Sequence, residues 1–364
     1  MNPQDELGSD PVKAQAQNDL ASTWMKRGIA LLEESSPASL RESLVCFDQA
    51  IALRSVLPLG ENSFFRYCFI ASWMNRGDAL TRLGSTGDLA EAVRSYDEAL
   101  KHARLLPLDE NPLYRKRFAV AWLNRGITLQ QQKKNLAEAT HSFGESVALL
   151  EHENAATIPE QKQLLGCAWM NLGNVMLELA EPDLRSAAAS ARNALRCLAE
   201  VESRDLISAE AGLKARLVLC RAVAGLISKP PTVPATINDL VAEATDTVDS
   251  GMKLVREWET QKSVAFRELS QELFRFGAHV YQKHQPHFLV EFLLESLDPC
   301  QSPGAAINSA MHLEALRALR RSLREMQREG LNRLNASAFD SFLERLAEMS
   351  SAEQRLEELR KPGS

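Results

Sequence analysis

One short motif occurs four times in this chain at nearly constant spacing, and it limits the possible folds more than any other feature. Each copy contains a tryptophan that is followed four residues later by a glycine. The tryptophans are Trp24, Trp73, Trp122 and Trp169, which lie 49, 49 and 47 residues apart, and the chain has five tryptophans in all. Self-similarity at a fixed period predicts a repeat architecture, in which each unit buries the apolar face that its neighbour leaves open.

A second pattern follows each tryptophan within the same unit. A small residue comes four positions before an aromatic residue in three units, and an alanine takes the aromatic position in the fourth. The pairs are Ser43 and Phe47, Ala92 and Tyr96, Ala139 and Phe143, and Ala187 and Ala191. Residues three and four apart share one face of a helix. Each unit is therefore predicted to be a pair of packed helices, with the glycine of the first helix allowing the second to approach closely.

These elements resemble the signature of the tetratricopeptide repeat family, which reads W-x2-L-G, then A-x3-F, then P. The stretch from Trp169 to Gly173 matches the first element in full, and Pro58, Pro107 and Pro159 stand at the ends of three units. The resemblance implies an all-α fold: a right-handed α-solenoid of antiparallel helix pairs, closed by C-terminal capping helices. The period exceeds the usual one of about 34 residues. Because the connections are short, we expect the extra length in the helices, which should be about twenty residues long.

The repeat pattern also predicts how the chain is divided. Residues 1–17 are expected to form a disordered tail, and residues 18–205 four tetratricopeptide-like repeats. Residues 206–290 are expected to form two degenerate repeats, in which Arg216 takes the tryptophan position and Gly277 the glycine position. Residues 291–364 are expected to form capping or interaction helices, over residues 305–328 and 336–359. Starts of helices are predicted at Pro112, after Asn111 as N-cap, and near Pro159.

Composition and charge exclude several classes of function. The net charge of −6 and the pI near 5.8 provide no basic field for nucleic acid or an anionic membrane. The sequence contains no stretch of 18 uninterrupted apolar residues, so no membrane span is predicted, and the first residues do not resemble a secretory signal. The six cysteines are scattered without a CxxC motif, which favours free thiols in a reducing, cytoplasmic setting.

The candidate binding residues lie two positions after each tryptophan. They are Lys26, Asn75, Asn124 and Asn171. Two helical residues correspond to about 200°, so these side chains point away from the tryptophan and glycine. In the family that this sequence resembles, asparagines at this position line the concave groove and hydrogen-bond the main chain of an extended peptide. A carboxamide suits that task because it offers both a donor and an acceptor. The alternative is that these asparagines bridge neighbouring repeats.

Further groove positions follow from the same helical face. They are Met74 and Met170, one residue after a tryptophan, and Asp78, Ile127 and Asn174, one turn further on. The methionines are interpreted either as an adaptable apolar floor for a partner or as ordinary core packing. A second in-phase set, Arg27, Arg76 and Arg125, is expected to form inter-helix ion pairs with Asp48, Asp97 and Glu98.

No motif indicates catalysis. His279, His284 and His287, with Glu291, lack the spacing of a metal site, and no phosphate-binding glycine loop or nucleophile motif is present. We therefore expect a non-enzymatic adaptor or scaffold that binds a protein or peptide and needs no cofactor or metal. Two alternatives stay open: an assembly subunit that self-associates or joins a complex through the helices after residue 290, and a regulatory sensor that binds a peptide or small-molecule signal.

Overall fold

The computed structural model describes residues 10–151, 159–228, 234–258, 263–296, 321–328, 334–335, 337–341 and 344. In these residues the regular secondary structure is entirely α-helical. The helices are α1 Pro11–Glu34, α2 Pro37–Ser55, α3 Ser63–Leu83, α4 Thr86–Ala103, α5 Pro112–Gln132, α6 Leu136–Leu150, α7 Pro159–Glu178, α8 Leu184–Leu198, α9 Leu206–Ser228, α10 Pro234–Glu257, α11 Val264–His284 and α12 Leu289–Ser296. None of these described helices is long and apolar enough to cross a membrane.

The chain divides into two compact units, Met1–Glu200 and Val201–Ser364. In unit 1, each helix packs against the next one along the chain, and short connections make consecutive helices antiparallel. We call α1, α3, α5 and α7 the A helices and α2, α4, α6 and α8 the B helices. Each A helix also packs against the next A helix, whereas the described B helices make no contact of that extent with one another. The all-α fold of paired helices is therefore confirmed.

Side-chain caps and prolines set where the helices begin. Asn111 accepts a hydrogen bond from the Leu113 amide (2.9 Å), and Pro112 opens α5 as the sequence predicts. The first helix begins earlier than expected. Asp10 caps α1 and Pro11 is its first residue, so residues 11–17 are helical and do not belong to a disordered tail. The A helices contain 24, 21, 21 and 20 residues, which accounts for the long repeat period.

Close packing of glycine against an aromatic ring joins the two helices of each of the first three pairs. A Cβ atom added to Gly28, Gly77 or Gly126 would lie 2.5 Å from a ring atom of Phe47, 2.7 Å from one of Tyr96 and 2.6 Å from one of Phe143. The fourth pair uses another position, because its aromatic slot holds Ala191. There a Cβ on Gly166 would lie 2.6 Å from Leu198. The predicted role of the glycines thus holds in the first three pairs.

Trp122 contacts the preceding pair of helices. Trp122 is 5% exposed and lies in one buried cluster with Ala99, Leu100 and Ala103 of α4. Trp73 packs at the edge of the same cluster and is only partly buried. Trp122 is therefore a core residue of the repeat, and Trp73 is one in part.

Unit 2 has its own apolar core, built from α9 to α12. Leu213, Leu273 and Leu293 are fully buried there. Arg216, in the position of the repeat tryptophan, donates two hydrogen bonds to the Glu202 carboxylate (2.7 and 2.9 Å). A Cβ on Gly277 would lie 2.5 Å from Val248, so this glycine also sits at a close contact. Of the expected capping helices, residues 321–328 and 337–341 are helical, and most of the rest lie outside the described residues.

Candidate functional site

The four candidate binding residues lie one on each A helix of unit 1. Lys26 is exposed, and Asn75, Asn124 and Asn171 are half-buried. All four are therefore accessible from solvent. A polar side chain thus recurs on each A helix at the same position of the repeat.

Asn124 is engaged with the preceding helix pair. Its Nδ2 donates a hydrogen bond to Oδ1 of Asp78 on α3 (2.9 Å), and the Tyr96 hydroxyl donates to the same oxygen (2.5 Å). Burial raises the pKa of the Asp78 carboxyl above its ordinary value, while these two hydrogen bonds and the charges of Arg82 and Arg117 act against the rise. For Asn124 and Asp78, a bridge between repeats therefore describes the geometry.

Asn75 and Asn171 differ from Asn124. Among the residues that the structure describes, neither side chain has a hydrogen-bond partner, so both amides can bind an external group. Asn174 donates to Oε1 of Glu178 (2.9 Å), an oxygen that also accepts from Gln130 on α5 (2.8 Å). Asn174 is thus held within its own helix.

The apolar candidates lie in the core. Met74 is 4% exposed and belongs to the cluster around Trp122, and Met170 is 8% exposed. Ile127 is half-buried and packs against the cluster between α5 and α7. Of the two interpretations of the methionines, core packing agrees with this burial.

Several contacts between A helices were not anticipated from the sequence. The hydroxyls of Thr81 and Thr128 lie 2.9 Å apart. Arg117 donates to the Tyr67 hydroxyl (2.6 Å), and its guanidinium lies 4.3 Å from the centre of that ring. These residues do not recur at one position of the repeat, because Thr81 comes eight residues after its tryptophan and Thr128 six. A search for in-phase residues therefore cannot find them.

The in-phase arginines form the expected ion pairs in two repeats. Nε of Arg76 lies 2.8 Å from Asp48 on α2, and Nε of Arg125 lies 2.7 Å from Asp97 on α4. Glu98 does not take part, and pairs with Lys101 on its own helix (3.4 Å). Among the described residues Arg27 has no carboxylate partner, and its guanidinium lies 5.9 Å from the centre of the Trp24 ring.

The fourth repeat loses both members of this ion pair at once. Leu172 stands at the arginine position, and Gly144 at the aspartate position of the preceding B helix. Joint replacement is what an interaction between neighbouring repeats requires, because one charge left alone would be partly buried without compensation.

The histidines of unit 2 serve local packing. Nδ1 of His279 lies 2.8 Å from the Arg275 carbonyl oxygen, and its ring packs edge-on against Phe339. His284 borders a cavity of about 150 Å³ that is lined by α9, α10 and α11, and burial lowers the pKa of its imidazole. In the described part of the chain, no three His, Cys, Asp or Glu side chains are grouped so that they could hold a metal ion.

The chain matches no protein-family model, and no curated protein is significantly similar to it. The repeat and the side chains of the A helices are therefore the features that indicate a function.

Proposed function

We propose that this protein is a non-catalytic adaptor of the tetratricopeptide type, which holds an extended segment of a partner protein along its A helices. The resemblance of the motifs implies a right-handed superhelix in which the A helices form the concave side. Direct packing of each A helix on the next, without equivalent packing of the B helices, is consistent with that curvature. We place the protein in the cytoplasm, where its cysteines stay reduced.

One observation carries the proposal: Asn75 and Asn171 present amides that have no partner among the described residues. Asparagine is a poor residue for a helix interior, and an exposed amide that bonds nothing adds no stability. A peptide main chain would pair with each amide as donor and acceptor. The Nδ2 of Asn124 is held by Asp78, but its side-chain Oδ1 has no donor among the described residues and can accept from a peptide N–H.

The test compares two variants after a partner has been captured with the wild-type chain and identified by mass spectrometry. Asn75→Ala combined with Asn171→Ala removes both free amides. Four hydrogen bonds at about 0.5–1.5 kcal/mol each amount to about 2–6 kcal/mol, so we expect binding to weaken by about thirtyfold or more in calorimetric titration. The melting temperature should stay within about two degrees of wild type or rise, because alanine is the better helix former.

Asn193→Ala is the matched control, since it removes a half-buried asparagine from the B helix α8. It should leave partner binding unchanged. If the double variant binds the partner as tightly as wild type, the A-helix surface is not the binding site. A markedly lower melting temperature would instead identify Asn75 and Asn171 as structural residues.

A further inference from the structure

The first repeat leaves uncovered a surface that the later repeats bury. The residue four positions before the tryptophan is large and apolar in every repeat. Phe69, Phe118 and Leu165 are 5%, 9% and 7% exposed, whereas Leu20 at the equivalent position of α1 is 52% exposed. The sequence thus keeps a core residue at a place where no described residue of the chain covers it.

The second half of this surface comes from α2. Val45 is 57% exposed, and the equivalent positions of the next two B helices hold Arg94 and His141. The His141 ring packs edge-on against Trp122, so this position lies beside the repeat tryptophan. Val45 therefore extends the apolar surface around Trp24, which is itself only half-buried.

Charge marks the same surface. In the second and third repeats the arginine three positions after the tryptophan pairs with an aspartate of the preceding B helix. Arg27 is exposed, stacks on Trp24 and has no such carboxylate among the described residues. Leu20, Trp24, Arg27 and Val45 together form what we call the open end of the first repeat.

The interface between α4 and α5 shows what the open end is shaped to receive. Ala99, Leu100 and Ala103 of α4 share a buried cluster with Phe118 and Trp122 of α5. On the same helix, Asp97 pairs with Arg125. The matching ligand is a helix with a carboxylate three residues before a leucine, so that the two share one face, and with small residues one position before that leucine and three positions after it.

We propose that the open end of the first repeat is a docking surface for an amphipathic helix of a partner protein, which places a carboxylate on Arg27 and small and leucine side chains on Leu20 and Trp24. It continues an interface that the chain already uses between repeats, and its charge is complementary to that of α4. This surface is distinct from the amides of Asn75 and Asn171, so the two can bind different segments.

The probe is a fluorescent peptide of residues 86–104, which carries the surface that covers α5. A hydrocarbon staple between positions 94 and 98 keeps it helical; Arg94 is exposed on α4 and Glu98 is half-buried. Titrated with the full chain and followed by fluorescence anisotropy, it should bind saturably in roughly the micromolar range. Arg27→Glu should weaken that binding about tenfold or more, because it sets two carboxylates against each other.

A charge swap separates docking from unspecific attraction. A peptide with Asp97→Lys should bind wild type weakly and recover most of its affinity for Arg27→Glu. Lys134→Glu, an equal charge reversal between α5 and α6, should leave binding unchanged, and so should Asn75→Ala with Asn171→Ala. Arg27→Glu and Lys134→Glu should each have the melting temperature of wild type, because neither Arg27 nor Lys134 has an ionic partner among the described residues.

Three results would overturn the proposal. In the first, the peptide shows no saturable binding. In the second, it binds Arg27→Glu as tightly as wild type, which would mean that it takes the place of α4 at another interface. In the third, sedimentation equilibrium shows wild-type self-association that Arg27→Glu abolishes, which would make a second copy the occupant. If partner binding does not depend on the amides of Asn75 and Asn171, the proposed function fails but this proposal is unaffected.

Discussion

Asp78 joins the second and third helix pairs through one carboxylate oxygen, which accepts hydrogen bonds from Tyr96 of its own pair and Asn124 of the next. Burial favours the neutral form of a carboxyl group, and here it outweighs the two donors and the nearby arginines. The folded protein therefore holds this proton to a higher pH than the unfolded chain does. In that pH interval the folded state binds more protons, so the stability contributed by Asp78 falls as pH rises.

Asp78→Asn tests this at the scale of one residue. The amide keeps an oxygen for Tyr96 and Asn124 but cannot ionise. Relative to wild type, the melting temperature of the variant should rise as the pH increases above the ordinary carboxyl pKa of about 4. Calorimetry at several pH values measures the difference, and Asp239→Asn, at an exposed position, provides the baseline for losing one negative charge. A constant or falling difference would contradict the raised pKa.

The sequence predicts the positions of these residues better than their contacts. Helical phase identifies Asn75, Asn124 and Asn171 as one set, and all three are accessible as expected. Helical phase alone cannot distinguish Asn124 from Asn75 and Asn171, because the partner of Asn124, Asp78, belongs to another repeat. The third repeat has no aspartate at the position equivalent to Asp78. Helical phase does not predict the burial of Met74 either, because the residues that bury it include Phe118 and Trp122 of the next repeat.

At the scale of helices, the contact between glycine and an aromatic ring fixes how closely the two members of a pair approach. Alanine normally stabilises a helix interior by about 1 kcal/mol relative to glycine. At Gly77 that preference is opposed, because the new methyl would lie 2.7 Å from the Tyr96 ring. Tyr96 is 1% exposed and is tied to Asp78, so it has little freedom to move away.

Gly77→Ala should therefore lower the free energy of unfolding by about 1–3 kcal/mol, the usual cost of overpacking. The matched variant is Gly144→Ala in α6, where an added Cβ meets no atom within 4 Å. It should raise stability by up to about 1 kcal/mol. Chemical denaturation of both variants checks the pair, and equal effects of the same sign would show that helix propensity rather than the ring contact dominates.

Helix boundaries follow from the sequence wherever a cap and a proline coincide. Asn111 with Pro112 predicts the start of α5 correctly. Asp10 with Pro11 is the same signal at α1, whereas the tryptophan motif alone does not mark this start and predicts a tail that is too long. The ion pair between Arg76 and Asp48 could be anticipated because both residues recur in phase, whereas the buried Arg54 could not. It bonds Asn18, Ser22 and Ser72, and later repeats carry apolar residues at its position.

At the scale of the whole molecule, the two units have separate cores. The buried cluster of unit 2 contains residues from Ala209 to Phe339, and those of unit 1 end with Cys197 at their edge. In repeat proteins stability is approximately a sum of repeat terms and nearest-neighbour interface terms. Damage to one interface should therefore spread to the neighbouring repeats before it reaches distant helices.

Trp122→Ala tests whether the units unfold separately. Trp122 is 5% exposed, and its indole N–H has no hydrogen-bond partner among the described residues, so the variant loses packing and ring contacts but no hydrogen bond of the indole. We expect a cost of about 3–5 kcal/mol and a transition of unit 1 lowered by roughly 6–20 °C in calorimetry. Hydrogen exchange should accelerate in α3 to α6 and stay unchanged in α9 to α11.

Trp258→Ala is the reciprocal variant, because the Trp258 indole donates a hydrogen bond to the Glu202 carbonyl within unit 2. This variant should accelerate exchange only in unit 2. If either variant accelerates exchange in both units, the chain unfolds as one cooperative array, and the two cores are coupled more tightly than nearest-neighbour packing predicts.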